Sequence, residues 1–548
     1  MYRLELPYQM HFDEVYHPRT ATEFLQDWRY GISHDIYEWT HPHLAKYAMA
    51  LGLIAWGDDR VGATSEIGAP VLAAAIESRW DESATAADRA GDRAYVATGS
   101  EVRVYDLATR AEVARLAVPG ASAVAVSAGR HQLFVGTTGG DLLLVDTQVL
   151  DGLRRSGGPS AGVRSLGADT IGHATGAIRS LWSGTDGVAV VALMDDGRLV
   201  TFNANDGRVL GTAAVAGVTQ LAPAGTVTAV LATTGQVGNP AQEAVTLAQI
   251  VGGSPGVLEE RLRSTSPVVF IAGQPSGEAR TRLDQAIAGG QLSGIAVRTV
   301  HRIAVAGHDG VSFLDADTGS VLGTLDLGGP VGGVALVQGI DDDKLYTTVE
   351  NEAGHQVVLV RIADAAGAEG PTMESEFALP GEGAQVIYDR ASEMVHVLGA
   401  APAGRGDGGP VVYVIEPHGN AVYADAPVGF QPEGLLMDAN VRYLSTDREQ
   451  LLAFGADGTV ASIDVGSHAF AWRLPGVIAG AILAALLYLL ARLLFRRRAV
   501  GVFAAILVAA DGMLFVQSRI GMNDSYVGMF IVAAYVLFAL LWQGRWTG

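Results

Sequence analysis

The chain contains no cysteine, so it forms no disulfide and offers no thiolate metal ligand. That absence is compatible with an extracytoplasmic location without requiring one. Lysine is nearly missing as well: Lys46 and Lys344 are the only two, and arginine carries almost all the positive charge, a compositional bias rather than a functional mark. Acidic residues outnumber basic ones by 58 to 37, giving a net charge of −21. A nucleic-acid partner is therefore not expected, because such binding needs a basic face. The first 27 residues lack the apolar core of a signal peptide. Charged residues make up only 17% of the chain. The mean hydropathy of +0.25 is high for a soluble protein. With 548 residues, that average implies a membrane part joined to a soluble one.

The membrane part lies at the C-terminal end. Leu474 to Phe495 is apolar except for Arg492, and about 20 such residues cross a hydrocarbon core of ~30 Å. Ala499 to Val516 is a second apolar run, broken by Asp511, and Tyr526 to Trp542 is a third. Spans are expected over about 474–495, 499–516 and 526–542. Arg496, Arg497 and Arg498 separate the first two and belong in the cytoplasm, as does Arg545. Phe470 and the link from Gln517 to Ser525 then face outward. Three apolar spans alone would serve as a simple anchor. Ionisable residues in or beside spans more often mark a working site, and Asp511, Arg519 and Asp524 lie there.

From about Asp92 to Val465 the chain is rich in Gly, Val, Ala, Thr and Asp. Short alternating runs end in tight polar turns, a strand pattern. One unit recurs: Val104-Tyr-Asp-Leu-Ala-Thr-Arg110, Thr201-Phe-Asn-Ala-Asn-Asp-Gly207 and Phe313-Leu-Asp-Ala-Asp-Thr-Gly319. Weaker copies sit at Val145-Asp146, Ile415-Glu416 and Phe454 to Gly458. Asp and Gly suit hairpin turns because they bond their own backbone or accept positive φ. A period of about 40 to 57 residues fits four-stranded propeller blades. About seven blades are expected, with six or eight also compatible. Residues 250–300 are the least regular, and Leu258 to Arg263 and Ala279 to Ala288 read as short helices. The scattered histidines His301, His308, His355, His396 and His418 read as surface or turn residues. Asp341-Asp342-Asp343 could bind a cation but reads first as a solvated loop, and no metal-ligand set or cofactor motif is evident.

The N-terminal stretch carries the chemistry. His11-Phe-Asp-Glu-Val-Tyr16 sets two adjacent carboxylates among aromatic residues. Asp13 or Glu14 could serve as a general base for a hydroxyl nucleophile. His41-Pro-His43 opens an apolar helix, Tyr47 to Trp56, too short to span a bilayer. His41, His43 and Lys46 could meet an anionic group at that helix N-terminus. An ordinary acidic turn and a capping segment would give the same pattern.

Phe12-Asp-Glu-Val-Tyr16, His41-Pro-His-Leu-Ala-Lys46 and Ala50-Leu-Gly52 together resemble the first extracytoplasmic loop of protein O-mannosyltransferases. Phe470-Ala-Trp-Arg-Leu-Pro-Gly476 and Asp511-Gly-Met-Leu-Phe-Val-Gln-Ser-Arg-Ile-Gly-Met-Asn-Asp524 resemble that family's following segments, in the right order. The resemblance implies a membrane glycosyltransferase of the GT-C type that moves mannose from a polyprenyl-phosphate carrier to Ser or Thr hydroxyls of exported proteins. It implies Asp13 as base with Glu14 as a supporting contact. His41, His43, Lys46 and Arg519 would lie near the donor phosphate or substrate, and Asp524 would orient Arg519 or a substrate. Here His43 replaces a second proline of the family pattern, and Asn523 a Leu-like residue. Family members also have a membrane helix before the first loop and several after the third span, so the chain is expected to be a fragment of a longer reading frame.

The expected organisation is mixed. Residues 1–57 form the transferase loop with its acidic motif, residues 58–468 an all-β propeller inserted in that extracytoplasmic loop, and residues 469–548 the α-helical membrane region. The expected setting is the plasma membrane, crossed several times, with propeller and site outside. Expected partners are membrane lipid, the polyprenyl-phosphate sugar, and an acceptor protein or cell-envelope polymer, with no bound cofactor. The competing expectation is a membrane-anchored propeller scaffold carrying an inactive transferase remnant.

Overall fold

The structure, a computed structural model, describes residues 4, 14, 16–31, 38, 40–41, 43–56, 60–77, 93–107, 111–127, 131–150, 163–183, 189–223, 226–231, 244–246, 259–260, 271–272, 295–300, 302–315, 319–337, 344–362, 371–389, 394–402, 409–416, 421–438, 450–464 and 469–544. Two helices come first, α1 (His17–Tyr30) and α2 (His43–Trp56). Pro18 occupies the first turn of α1, where its missing N–H breaks no helical bond. Gly31 ends the helix in the left-handed conformation and donates its N–H to the Asp27 carbonyl.

A seven-bladed β-propeller follows, each blade an antiparallel sheet of four strands. Blade 1 comprises Ala73–Glu77, Arg93–Ala97, Glu101–Asp106 and Ala111–Ala117, with Arg164–Ser165 added in parallel on its outer edge. Blades 2, 3 and 5 fall within 121–173, 178–214 and 331–378, and blade 4 takes its first strand from 220–223 and the others from 302–326. Blade 6 comprises Gly383–Asp389, Met394–Ala400, Pro410–Glu416 and Ala421–Pro427. Blade 7 takes three strands from the end of the propeller, Gly434–Asp438, Gln450–Phe454 and Thr459–Asp464. Its fourth is Arg60–Glu66, which pairs antiparallel with Thr459–Asp464 from Arg60↔Asp464 to Glu66↔Thr459. The propeller is thus closed by its own first strand.

Second strands read as continuous apolar runs because a neighbouring blade covers each face. Ala189–Met194 is buried at every position. Outer strands alternate, as Val321–Asp326 does. Buried clusters bridge consecutive blades: Tyr95 and Val104 meet Leu133 between blades 1 and 2, and Tyr346 and Val357 meet Val395 and Tyr413 between blades 5 and 6. The recurring Asp-and-Gly unit is the hairpin between third and outer strands. Gly207 shows why glycine is required there. It has a positive φ of 67°, and a Cβ would lie 2.0 Å from the Ile171 carbonyl oxygen of the preceding blade. The copy at Phe454 to Gly458 instead forms the hairpin between second and third strands.

Several local expectations differ from the fold. Arg60–Glu66 and Ala73–Glu77 precede the legible repeat, and their strands join blades 7 and 1 within the expected bounds of 58–468. Residues 250–300 lie between the first and second strands of blade 4, where Thr226–Leu231 pairs with Ile295–Val300. Glu259–Glu260 is extended, paired with Ile271–Ala272, rather than helical. Ala279 to Ala288 and Asp341 to Asp343 lie outside the described residues, as do His301 and His418. His396 is fully buried in the second strand of blade 6 rather than at the surface.

Four further helices follow: α3 (Ala469–Phe495), α4 (Arg498–Ala510), α5 (Gly512–Arg519) and α6 (Asp524–Trp542). α3 and α6, with mean hydropathies of 2.4 and 2.0, are long and apolar enough to cross a membrane. Their lipid-ready faces expose Ile478, Ile482, Phe530, Ile531 and Phe538. The run 499–516 is not one straight helix. It breaks at Asp511 with a bend of 63° between α4 and α5, and counts as a third span only if the bent pair is taken together. The Asp511 side chain causes the break by accepting the Leu514 N–H at 2.8 Å and capping α5.

The helical parts form one core with the propeller. Ala21 and Leu25 of α1 pack with Met394, Val414 and Ala424 of blade 6 and with Ala471 and Trp472 of α3. Gln26 Oε1 accepts the Val422 N–H of the outer strand of blade 6 at 2.7 Å. α2 lies against the first turns of α3 so closely that a Cβ on Gly52 would sit 2.2 Å from the Ala471 carbonyl oxygen. Strand Arg60–Glu66 explains how the propeller between α2 and α3 leaves this contact intact. Because Arg60 and Asp464 are cross-strand partners, the chain leaves α2 and returns to α3 at neighbouring points.

Candidate functional site

The sequence places Trp472 and Arg473 near the start of α3, whose only other charged residue is Arg492 in the last turn. Both side chains turn toward the N-terminal segment and are fully buried. Arg473 grips Glu14 with a two-pronged pair: Nε donates to Oε1 and Nη2 to Oε2, each at 2.7 Å. Trp472 Nε1 and the Gly521 N–H also donate to Glu14 Oε1, at 3.1 and 2.7 Å. Arg473 Nη1 donates to the Leu4 carbonyl at 3.1 Å. Glu14 thus ties together the N-terminal segment, α3 and the link between α5 and α6. Such planar, charge-assisted pairing fixes geometry as well as energy. A Cβ on Gly521 would lie 3.0 Å from Pro18 and 3.3 Å from Trp472, so glycine lets this link close down on the clamp.

A second ion pair holds the entrance to α2. Lys46, fully buried, donates from Nζ to the Glu38 carboxylate and carbonyl. Glu38 Oε1 also accepts the Thr40 and His41 N–H groups, at 2.6 and 3.1 Å. Burial alone would raise the Glu38 pKa. The hydrogen bonds from Lys46, Thr40 and His41 outweigh it and hold the carboxyl well below the usual range. His41 is exposed above this turn, with its ring 5.2 Å from that of His17. His43 packs on Phe24 and Tyr47, at ring distances of 5.7 and 6.2 Å.

Between α3, α4, α5 and the start of α6 lies a groove of about 330 Å³. Val477, Ala481 and Val508 give it apolar walls, Leu4 borders it, and Arg519 and Ser525 supply polar groups. It exists because α3 presents Gly476 and Gly480 to Ser518 of α5, a small-residue face that lets the helices approach. Arg519 is half-buried, with its guanidinium 5.4 Å from the Phe515 ring centre. Asp524, in the first turn of α6, is exposed, whereas Asn523, Ser525 and Tyr526 beside it are buried. An apolar groove bordered by a guanidinium is suited to an anionic group carried on an apolar chain.

The structure therefore brings Glu14 onto the link between Arg519 and Asp524, through the Gly521 N–H. It also gives Glu14 and Lys46 buried ion-pair partners, so both hold the framework of the site. Asp13 lies outside the described residues. Sequence reasoning missed the roles of Arg473, Trp472 and Glu38. An arginine near the start of an apolar span was the available signal for the first. Glu38, eight residues before Lys46, had none. Among the described residues no cluster of three or more potential ligands could hold a metal ion.

Residues 456–546, which cover α3 to α6 and the last propeller strand, match the sequence model of the dolichyl-phosphate-mannose-protein mannosyltransferase family. The polyprenol-phosphate-mannose–protein mannosyltransferase of Mycolicibacterium smegmatis is 39% identical over 70 residues, 13% of this chain and 14% of that protein. Its counterpart in Mycobacterium tuberculosis is 36% identical over 70 residues, 13% of each. The match thus spans about one-seventh of the length of these curated relatives. Among solved structures, the β-propeller domain of Myceliophteria thermophila Cps50 (Swd1) is similar over 74% of this chain and 99% of its own, at 11% identity and a TM-score of 0.42. The mannosyltransferase match and the two long apolar helices make this a membrane protein.

Proposed function

We propose that this chain forms part of a polyprenyl-phosphate-mannose-dependent protein mannosyltransferase with a propeller inserted in its first extracytoplasmic loop. The observation that carries the reading is that the family match falls on the very helices that build the groove bordered by Arg519. In this reading the groove receives the polyprenyl chain, and Arg519 pairs the donor phosphate, with His41 nearby and Asp524 orienting the group it faces. Asp13 takes the proton of an acceptor Ser or Thr hydroxyl as its oxygen attacks C1 of mannose. The bond from C1 to the phosphate oxygen breaks, and polyprenyl phosphate leaves with inversion at C1. Glu14, next to Asp13 in the chain, is held by Arg473, while Lys46 and Glu38 hold the entrance to α2, where His41 and His43 lie.

The orientation follows from charge. Arg496, Arg497 and Arg498 sit at the end of α3 opposite the Glu14 clamp. Retention of that triplet in the cytoplasm puts the clamp, the groove mouth and both propeller junctions outside a membrane crossed more than once. The propeller then stands beside the site, where it binds the acceptor protein, an envelope polymer or a partner subunit. The test is Asp13→Asn in the full-length protein in membranes, followed by transfer of radiolabelled mannose from the polyprenyl carrier to acceptor. Loss of a general base should lower turnover by about 10²-fold or more. Unchanged transfer would refute the reading.

A further inference from the structure

The propeller sorts its exposed apolar residues to one edge. Among the described residues it exposes seven large apolar side chains, and only Leu72 lies away from the edge formed by the turns between third and outer strands. Val149 and Val163 lie in that connection of blade 2. Val209, Val321, Leu322 and Met373 are first or second residues of the outer strands of blades 3, 4 and 5, and are 41–51% exposed. Single exposed apolar residues are ordinary, but their confinement to one edge marks a surface that meets something. Blades 6 and 7 show what the same edge meets. In blade 7 the helices replace the turn: the third strand ends at Asp464 and leads to α3 at Ala469, while α2 ends at Trp56 and leads to the outer strand at Arg60. In blade 6 the edge is covered by α1, where Gln26 accepts the Val422 N–H and Ala21 and Leu25 pack with Met394. The five residues from Asp464 to Ala469 reach at most about 18 Å, so this edge is held close to the apolar helices.

Charge follows the same division. On the opposite edge, turns between second and third strands expose carboxylates: Asp195 and Asp196 in blade 3, Asp309 in blade 4, Glu352 in blade 5 and Asp457 in blade 7. At the apolar edge Arg164, Arg208 and Arg361 are exposed beside Asp146, Asp169, Asp206 and Glu374, so both signs are present. A row of carboxylates belongs in water. Apolar side chains among charges of both signs suit a headgroup layer, where the apolar groups reach acyl chains and arginines meet phosphates. We propose that this edge of blades 2 to 5 rests on the lipid surface of the membrane that holds α3 and α6, with Val209, Val321, Leu322 and Met373 dipping among the headgroups. α1, packed against both blade 6 and α3, then keeps the propeller from swinging free, and the carboxylate edge faces solution. This placement is the same for any lipid-linked substrate and stands apart from the mannosyltransferase reading.

Because the chain has no cysteine, a single one reports its own position. Val209→Cys, Val321→Cys and Met373→Cys on the apolar edge, and Asp309→Cys and Glu352→Cys on the opposite one, each take a fluorophore in the whole chain. The proteins are reconstituted in vesicles of phosphatidylcholine and phosphatidylglycerol. Lipids with a nitroxide at the top of the acyl chain should quench the three apolar-edge labels by about half or more, and the two opposite labels by less than about a tenth. Quenching at neither edge, or equal quenching at both, would overturn the placement. So would apolar-edge labels shielded from a water-soluble quencher in detergent as well as in vesicles, because a second copy or another protein would then cover the edge. The unmodified chain gives a readout free of any folding defect in a variant. A phospholipid with a photoreactive diazirine near its headgroup should tag the chain around Val321 and Leu322, and absence of the tag there would overturn the proposal.

Discussion

Arg473 and Glu14 are side chains 1% and 0% exposed, joined by two bonds of 2.7 Å across 459 residues of sequence. Glu14→Ala removes the partner and leaves a guanidinium in a site closed to water, which typically costs about 3–5 kcal/mol. The absence of cysteine offers a direct assay. Thr20, fully buried at the start of α1, has a hydroxyl with no partner among the described residues, so Thr20→Cys disturbs little and buries a unique thiol. Thiol labelling then requires the N-terminal segment to open. A loss of 3–5 kcal/mol should accelerate labelling by roughly two to three and a half orders of magnitude. The double variant Glu14→Met with Arg473→Leu removes both charges and should recover much of the protection, because burying two apolar groups avoids the desolvation problem. Labelling within about threefold of the parent in Glu14→Ala, or strictly additive single and double variants, would refute the clamp. The same set separates positioning from direct chemistry. If Glu14 acts through the clamp, Glu14 and Arg473 variants lose mannose transfer alike.

Two further perturbations test the framework. Gly52→Ala puts a methyl group 2.2 Å from the Ala471 carbonyl oxygen, a backbone atom that cannot step aside, so α2 must move off α3. Thiol labelling at Thr20→Cys should report a loss of about 1–3 kcal/mol, as for overpacked cores. Glu38 is ionised well below the ordinary carboxylate range when folded, so its contribution is complete above the unfolded pKa of about 4.3 and is lost as pH falls toward the depressed folded value. Amide exchange in the first turn of α2, corrected for the intrinsic rate, should stay equally protected from pH 7 to about 5 and loosen only below about 4. Loosening near pH 6 would point to histidine instead.

Much of this architecture is local in origin and therefore legible in the residues. Strand alternation and Asp-and-Gly turns repeat at a blade's length, and that period alone points to a propeller. Apolar runs long enough for a bilayer, punctuated by Arg496 to Arg498, locate the helices and imply their direction. The break at Asp511 is not anticipated: the run 499–516 reads as one span, and the bend of 63° appears only where the Asp511 side chain caps the next helix. The seventh blade was less visible. Its outer strand, Arg60–Glu66, lies about 400 residues from its partner, and nothing in either segment names the other. His396 shows the same limit, since a histidine looks alike in a turn and in a buried strand.

The sequence by itself determined the propeller class, the apolar helices and the order of the acidic, histidine and arginine motifs, because periodicity, length and turn chemistry act between near neighbours. Tertiary structure alone decided what those motifs do to one another. It gave Glu14 to Arg473 and Lys46 to Glu38. It also closed the propeller so that α2 and α3 meet, laid α1 against blade 6, and left the side-chain polar atoms of Asn523, Ser525 and Tyr526 without a hydrogen-bond partner among the described residues. The physical reason is that burial removes water as the default partner. A charge or hydroxyl in the chain can be satisfied anywhere in solvent, but once packed it must find the one group that the fold brings within about 3 Å, and that group is chosen by topology rather than by sequence distance.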